Sequence, residues 1–246
     1  MLLYYIRHGD PIYDPDSLTE QGKKQAEALA ERLSLVKFDE IYCSTSKRAL
    51  QTAMPTCEKL GITPTTLDWA NENYSWKELT IRDDNEEKSK WVFHNRKCIE
   101  TLNSKEVRDL GFDWFEHESL KKYDFGSSMS RINKKTDELL LSLGYLHDRD
   151  KCGYKVIERN DKRIAFFAHQ GIGLAFLSSV MDIPFSCFST RFDLGYSSYT
   201  VISFDQSGYL YKTNEELVFP KILQLSNDSH LYKDDLSLDY HNTLKI

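Results

Sequence analysis

Two apolar runs, far apart in the chain, each end abruptly in a histidine. Leu2–Ile6 is followed by Arg7 and His8, and Arg163–Ala168 is followed by His169. Because these runs are continuously apolar rather than alternating, they predict strands buried on both faces, as in a parallel sheet covered by helices. Ligands bind at the carboxyl edge of such sheets, so adjacent strands would deliver both imidazoles to one crevice.

The patterns between these runs predict an α/β fold. Apolar residues at helical spacing predict helices at Gln21–Ser34 and Lys47–Leu60, the first preceded by a capping box at Ser17–Glu20. Short strands are predicted at Phe38–Tyr42 and Pro64–Leu67. The alternation of strand and helix indicates βαβ units in a mostly parallel sheet.

The middle of the chain, from about residue 71 to about residue 161, differs in character. Charge density rises, strand-like runs vanish, and the segment holds Trp76, Trp91 and Trp114. Arg131–Leu143 has a helical pattern. A loop is predicted over residues 144–160, and a solvated turn or the start of a helix over residues 83–88. We therefore expect one domain over residues 1–246, with a largely helical insertion over one edge of the sheet.

The C-terminal part predicts an edge hairpin followed by a tail. Tyr199–Phe204 and Tyr209–Thr213 would pair through a turn at Asp205–Gly208. Residues from about 225 to 246 are polar and irregular, which is typical of a tail that tracks the surface.

Composition limits the partners of the chain. The net charge is −6, so no global positive field attracts nucleic acid or anionic membranes, and an anionic substrate would need a local positive pocket. Five dispersed cysteines fit reduced thiols, and no run approaches the ~20 apolar residues of a membrane span. We expect a cytoplasmic protein with a small-molecule substrate and without nucleic-acid or membrane partners.

A third element, Tyr42–Thr52, places Arg48 in the first turn of a predicted helix, close to the same sheet edge. A cation does not complement the positive end of a helix, but an anionic ligand there would resolve the conflict. Arg7 and Arg48 together with His8 and His169 would suit a tetrahedral dianion, because guanidinium forks match phosphoryl oxygens. A neutral imidazole can attack phosphorus, and a second imidazole, if protonated, would stabilise the transition state. We interpret His8, at an exposed strand end, as the nucleophile.

Four blocks, in this order, resemble the histidine phosphatase superfamily, which also contains cofactor-dependent phosphoglycerate mutases: Tyr5–Asp10, Leu18–Ala26, Tyr42–Ala53 and Ala168–Gly171. The resemblance implies a three-layer α/β/α sandwich with a mostly parallel, mixed sheet, and a phosphohistidine on His8. It further implies that Arg7, Arg48 and His169 bind the phosphoryl group, and we place Gln170 in the same phosphate site. Neither metal nor cofactor is expected. Asp10 stands where many relatives have Glu.

The family also uses a carboxylic acid to protonate the leaving oxygen, some two dozen residues after the helical arginine. Glu72 follows Arg48 by 24 positions and is our candidate. Glu78 is the rival and Asp68 a distant third. Glu72 could instead lie in a solvated loop, because this neighbourhood lacks the Gly-Trp-Glu-Gly run that familiar relatives carry. Near it, His94, residues 95–97 and the tryptophans could form the wall over the pocket, although most of them suit packing or surface roles better.

The function that fits best is hydrolysis of a small phosphomonoester. A phosphoglycerate mutase is the alternative with the same chemistry, but mutases tend to begin with Arg-His-Gly-Glu-Ser, whereas this chain has Asp10 and Pro11 after Gly9. A non-catalytic phosphate-binding module is the other alternative, and the intact set of two arginines and two histidines argues against it.

Overall fold

The structure is a computed structural model that describes residues 1–82, 88–204, 217–234 and 236. In chain order its strands and α-helices are β1 (Leu2–Arg7), β2 (Pro11–Ile12), β3 (Ser17–Leu18), α1 (Glu20–Leu33), β4 (Glu40–Ser44), α2 (Lys47–Leu60), β5 (Thr65–Leu67), α3 (Glu72–Leu79), β6 (Thr80–Ile81), β7 (Lys90–Trp91), α4 (Arg96–Leu102), α5 (Lys105–Leu110), α6 (Phe125–Ser142), β8 (Tyr145–Asp148), β9 (Gly153–Val156), β10 (Arg163–Ala168), α7 (Gln170–Val180), α8 (Phe185–Phe188), β11 (Tyr199–Ser203), β12 (Leu217–Val218) and β13 (Lys221–Asn227). Short 3₁₀ helices lie at Asp68–Ala70, Gly111–Glu116 and Ser229–Asp234.

The main sheet, as far as the structure describes it, has the strand order β13-β11-β1-β10-β4-β5. β1, β10, β4 and β5 run parallel, and β11 and β13 are antiparallel to their neighbours. The two strands that precede the histidines are direct neighbours, paired in a register that sets Arg7 opposite Ala168. His8 and His169 therefore leave the sheet side by side.

Helices cover both faces of the sheet, as expected for an α/β/α sandwich. On one face α1 and α2 pack Leu29, Ala49 and Cys57, among others, against Ile6 and Phe167 in one apolar core. On the other face α6 and α7 contribute to a second and larger core, which includes Ile132, Phe176, Tyr5 and Phe166. Side chains that alternate along β1 and β10 supply both cores, which is why these strands carry continuous apolar runs.

Several elements differ from the sequence predictions. The predicted loop at 144–160 contains the hairpin of β8 and β9, because Tyr145, Tyr154 and Val156 are buried against the larger core. The helix predicted at Arg131–Leu143 begins six residues earlier, at Phe125.

The C-terminal prediction was also wrong in part. β11 is not an edge strand, because it lies between β1 and β13, and β13 extends to Asn227, into the tail that was predicted from about residue 225. The proposed turn and second strand, 205–213, the end of the tail and most of 83–88 lie outside the described residues.

The structure also bears on the predicted helix cap, the cysteines and the expected lack of a membrane span. Thr19, not Ser17, caps α1, since its hydroxyl accepts from the backbone N–H of Gly22. All five cysteines are free thiols. None of the helices among the described residues is both long and apolar enough to cross a membrane.

Candidate active site

The two histidines at the strand ends share one buried crevice. Their ring centroids lie 5.0 Å apart at 64°. Only 1% of His8 and 0% of His169 is exposed, so the expectation of an exposed strand end at His8 was wrong. Burial arises because α2 and α7 both begin at this edge and close over it.

One tautomer of His8 is selected by its neighbours. Nδ1 lies 2.7 Å from the carbonyl oxygen of Gly9, and a carbonyl can only accept, so Nδ1 carries the proton. Nε2 accepts a hydrogen bond of 3.2 Å from Nε of Arg48. The neutral imidazole therefore keeps its lone pair on Nε2, the atom that can act as a nucleophile.

The loop that carries His8 is held by close backbone contacts. The N–H of Gly9 donates to the Thr52 hydroxyl on α2 at 3.0 Å. A Cβ on Gly9 would meet the carbonyl oxygen of Gly22 at 2.7 Å, and one on Gly22 would meet the carbonyl oxygen of Asp10 at 2.2 Å. Glycine at both positions thus allows the first turn of α1 to lie directly against this loop.

Arg48 lies between the nucleophile and two carboxylates. It is 6% exposed, and its Nη1 donates to Oδ1 of Asp16 at 2.7 Å, while its Nη2 lies 3.6 Å from Oε2 of Glu72. Its position in the first turn of α2 is the one predicted from the sequence. The neighbouring carboxylates explain how a buried guanidinium is tolerated at the positive end of a helix.

Arg7 is 3% exposed and lines the cavity over the crevice together with Arg48. It donates through Nη1 to the carbonyl of Leu194, and its Cζ lies 4.0 Å from the ring centroid of Tyr196. The same tyrosine ring is 5.9 Å from that of His8. The backbone contact and the ring fix the guanidinium beside the nucleophile.

The side chain of His169 is oriented by two hydroxyls. Its Nε2 lies 2.8 Å from Oγ of Ser44 and 3.2 Å from Oγ of Ser46. Ser46 is the N-cap residue of α2, but its side chain makes no capping hydrogen bond. Burial first, and then the neighbouring His8, Arg48 and Arg7 side chains, hold the pKa of His169 well below its usual range. His169 is thus neutral before a ligand binds, and a bound dianion would raise its pKa.

Glu72 is 8% exposed and faces the same crevice. Its Oε1 accepts from the backbone N–H of Gly171 at 2.8 Å, and its Oε2 lies 3.4 Å from Nδ1 of His169. Burial raises the pKa of Glu72, and the opposing effects of Arg48 and Arg7 and the hydrogen bonds from α7 only partly offset it. A carboxyl with a raised pKa is suited to donate a proton near neutral pH.

The other candidate acids lie elsewhere. Glu78 forms a two-point ion pair with Arg131, at 2.9 and 2.5 Å. Asp68 is exposed and accepts from the Tyr74 hydroxyl at 3.0 Å. The structure thus brings only Glu72, of these three, to the two histidines.

Gln170 and the cavity complete the site. Gln170 is 6% exposed and donates through Nε2 to Asp193. A cavity of about 480 Å³ opens over the crevice, and it is lined by Arg7, Tyr13, Asp16, Arg48, Glu72, Asn73, Trp76, Trp91 and Gln170. Its size is within the range of roughly 300–1,000 Å³ of small-molecule sites.

Some of these residues were missed by the sequence analysis. Asp16, Ser44 and Ser46 lie in loops or at strand ends where polar residues are common, and Tyr196 lies far along the chain. Only the position of Ser44 at the end of β4, a strand that pairs with β10, could have indicated its proximity to His169.

The site could also attract a cation. One ligand atom each of His8, Glu72 and His169 can be brought within 4.8 Å of one another, which fits a metal site among the described residues. Two buried arginines beside this triad oppose a divalent ion and favour an anion instead.

The chain is similar to known phosphatases. Residues 3–111 match the family model of the histidine phosphatase superfamily (branch 1). No curated protein sequence matches the chain. The family match confirms the resemblance over the first three of the four sequence blocks, since Ala168–Gly171 lies outside the matched residues.

Three solved structures share the fold over almost the whole chain. A phosphoserine phosphatase from Entamoeba histolytica, crystallised with phosphoserine, has a TM-score of 0.57 and 19% identity, and covers 94% of this chain and 98% of its own. A mycobacterial glucosyl-3-phosphoglycerate phosphatase has a TM-score of 0.57 and 18% identity, and covers 92% and 98%. An α-ribazole phosphatase from Shigella flexneri has a TM-score of 0.57 and 18% identity, and covers 93% and 97%. At such identities the likeness shows the fold, and together with the family match it supports a phosphatase enzyme.

Proposed function

We propose that this chain, whose residues 3–111 match the histidine phosphatase superfamily, is a phosphomonoester hydrolase that works through a phosphohistidine on His8. The observation that carries the proposal is the pairing of a nucleophile with an acid in one buried crevice. Nε2 of His8 holds a lone pair because Nδ1 donates to Gly9, and Glu72 has a raised pKa close by.

In the first step Nε2 of His8 attacks phosphorus, and the bond from phosphorus to the ester oxygen breaks. Glu72 gives its proton to the leaving oxygen, so that an alcohol departs rather than an alkoxide. Arg7 and Arg48 neutralise the charge on the phosphoryl oxygens. Arg48 must first move its Nε away from Nε2 of His8, because that contact occupies the attacking lone pair.

In the second step the ionised Glu72 removes a proton from a water molecule, which attacks the phosphohistidine. The bond from phosphorus to Nε2 breaks, inorganic phosphate leaves, and Glu72 is again protonated. Neutral His169 contributes one N–H to the phosphoryl group, and Gln170 lies at the same helix terminus, where backbone N–H groups favour anions. No step requires a metal ion.

Two assays, run side by side without added metal, test this proposal. Hydrolysis of p-nitrophenyl phosphate that is unaffected by EDTA is the expected result, with 3-phosphoglycerate left unisomerised. Isomerisation without net hydrolysis would identify a mutase. Absence of both activities, with phosphate still bound, would identify a binding module.

A further inference from the structure

Aromatic rings surround the space beyond the phosphate site. Trp76 on α3 meets Trp91 edge-to-face at 4.9 Å, and Trp91 stacks on Phe93 at 5.4 Å with 16° between the rings. Tyr13 lines the same cavity as Trp76 and is 66% exposed, while Trp76 is 40% exposed. Large apolar rings that remain exposed at a cavity mouth mark a surface that a ligand covers.

A second cavity continues this aromatic surface. It has a volume of about 550 Å³ and shares Arg7, Tyr13, Trp91 and Gln170 with the cavity over the crevice. Its further lining is Phe93, His94, Ile99 and Tyr196. The two cavities therefore form one space that runs from the phosphate site along a wall of rings.

Positively charged side chains lie at only one end of this space. Among the described residues that line the two cavities, the Arg and Lys side chains are Arg7 and Arg48, and both belong to the phosphate site. A substrate with a carboxylate beside its phosphate would need a further cation for that carboxylate, because a buried anion without a partner is costly. Of the remaining lining, only the imidazole of His94 could become positively charged.

We propose that the substrates of this enzyme are phosphate esters whose alcohol part carries a flat aromatic ring and no second anionic group. The ring would pack between Trp76 and Tyr13 and against Trp91, while the phosphate lies on Arg7 and Arg48. The inference rests on the proposed function, since it assigns the substrate class of the same site.

Binding of stable phosphonates tests the inference without turnover. We would measure by calorimetry the affinity of 3-phenylpropylphosphonate, of butylphosphonate, and of 3-carboxypropylphosphonate, which differ only in the group at the end of the chain. The phenyl compound should bind about tenfold more tightly than the butyl compound, because ring packing adds to apolar burial. The carboxylate compound should bind no better than butyl. Equal affinities for phenyl and butyl, or tightest binding of the carboxylate, would overturn the proposal.

Two variants on α3 test where the aromatic ring of the ligand binds. In Trp76→Ala the tenfold preference for phenyl over butyl should fall below about threefold. Tyr74→Ala is the matched control, since Tyr74 is also an aromatic residue of α3, is 44% exposed and does not line either cavity. Its preference should equal that of the wild type. A full preference in Trp76→Ala would show that the ring does not bind at this wall.

Turnover separates this inference from the proposed function. 2-Phenylethyl phosphate and propyl phosphate have leaving groups of similar basicity, so that a difference in kcat/KM reports ring binding rather than bond strength. Hydrolysis of both at equal kcat/KM would leave the phosphatase assignment standing and overturn the aromatic class. Failure to hydrolyse either, together with a tenfold binding preference among the phosphonates, would support the aromatic site and overturn the hydrolase.

Discussion

Oε1 of Glu72 accepts a hydrogen bond of 2.8 Å from the backbone N–H of Gly171, one residue into the helix that begins just after His169. One oxygen of the carboxyl is thereby anchored to α7, and the other, Oε2, is directed towards His169 and Arg48. The arrangement ties the proposed general acid to the same helix terminus that would receive the phosphate.

Glu72→Gln should slow alkyl phosphates far more than p-nitrophenyl phosphate. An alkoxide needs a proton to leave and nitrophenolate does not, and general acid catalysis contributes typically about 10²–10⁴-fold. Since the pKa of Glu72 is raised and the first step needs the protonated form, the rate with alkyl esters falls as pH rises through that pKa. In Glu72→Gln the rate with alkyl esters should not show this decrease at high pH.

Glu78→Gln is the control, because its two-point pairing with Arg131 keeps it from the crevice. Leaving-group discrimination in Glu78→Gln, with Glu72→Gln equally slow on both ester types, would transfer the acid role to Glu78.

Most of the site could be predicted from local sequence. An apolar run followed by His8 or His169 predicts a strand end, and the helical position of Arg48 predicts the direction of its side chain. The contacts of Asp16, Ser44 and Tyr196 could not be predicted, because they depend on how separate loops meet in three dimensions. The hairpin of β8 and β9 was missed since its strands are short and one face is polar.

Arg48→Ala should weaken inhibition by inorganic phosphate or vanadate more than Arg48→Lys does. A charge-assisted hydrogen bond contributes about 1.5–3 kcal/mol, which is roughly ten- to hundredfold in the inhibition constant. Lysine keeps the charge but not the two-point fork. Equal inhibition constants for the two variants would show that the geometry of the fork is irrelevant.

Asp16→Asn should bind phosphate more tightly. Asp16 shares Nη1 of Arg48 at 2.7 Å, so its negative charge competes with and repels an incoming dianion. We expect the inhibition constant of phosphate to fall about three- to tenfold. Asp14→Asn is the control, as Asp14 is an exposed acid of the same loop. Weaker phosphate binding in Asp16→Asn would instead show that Asp16 positions Arg48 for its ligand.

His147 should make the stability of the fold depend on pH. Burial disfavours its imidazolium, but hydrogen bonds of 2.8 Å each to Asp137 and Asp182 outweigh this and raise the pKa of His147, against the nearby charge of Arg149. Because the folded pKa is raised, the stabilisation is fully present below the unfolded pKa and is lost as pH rises through the folded pKa.

Urea unfolding at about pH 6 and about pH 9 measures this effect. At the lower pH the free energy of unfolding of His147→Gln should be about 1.5–3 kcal/mol below that of the wild type, and at the higher pH the difference should be smaller. His117→Gln is the control, since Nδ1 of His117 accepts a hydrogen bond from the backbone N–H of Ser119. A loss in His147→Gln that is the same at both pH values would contradict the charged pairing.

The measurement that tests the central claim most directly is the trapping of phosphate on His8. The wild type, Glu72→Gln and His8→Ala are each mixed with a radiolabelled phosphomonoester and quenched under denaturing alkaline conditions, and circular dichroism checks that the His8→Ala fold is intact. We predict an acid-labile, alkali-stable label on the peptide that contains His8. With p-nitrophenyl phosphate as the ester, whose leaving group needs no proton, Glu72→Gln should hold more label because its dephosphorylation is slowed. His8→Ala should show no label and no turnover. Turnover at the wild-type rate in His8→Ala, or a label on any other residue, would contradict the account.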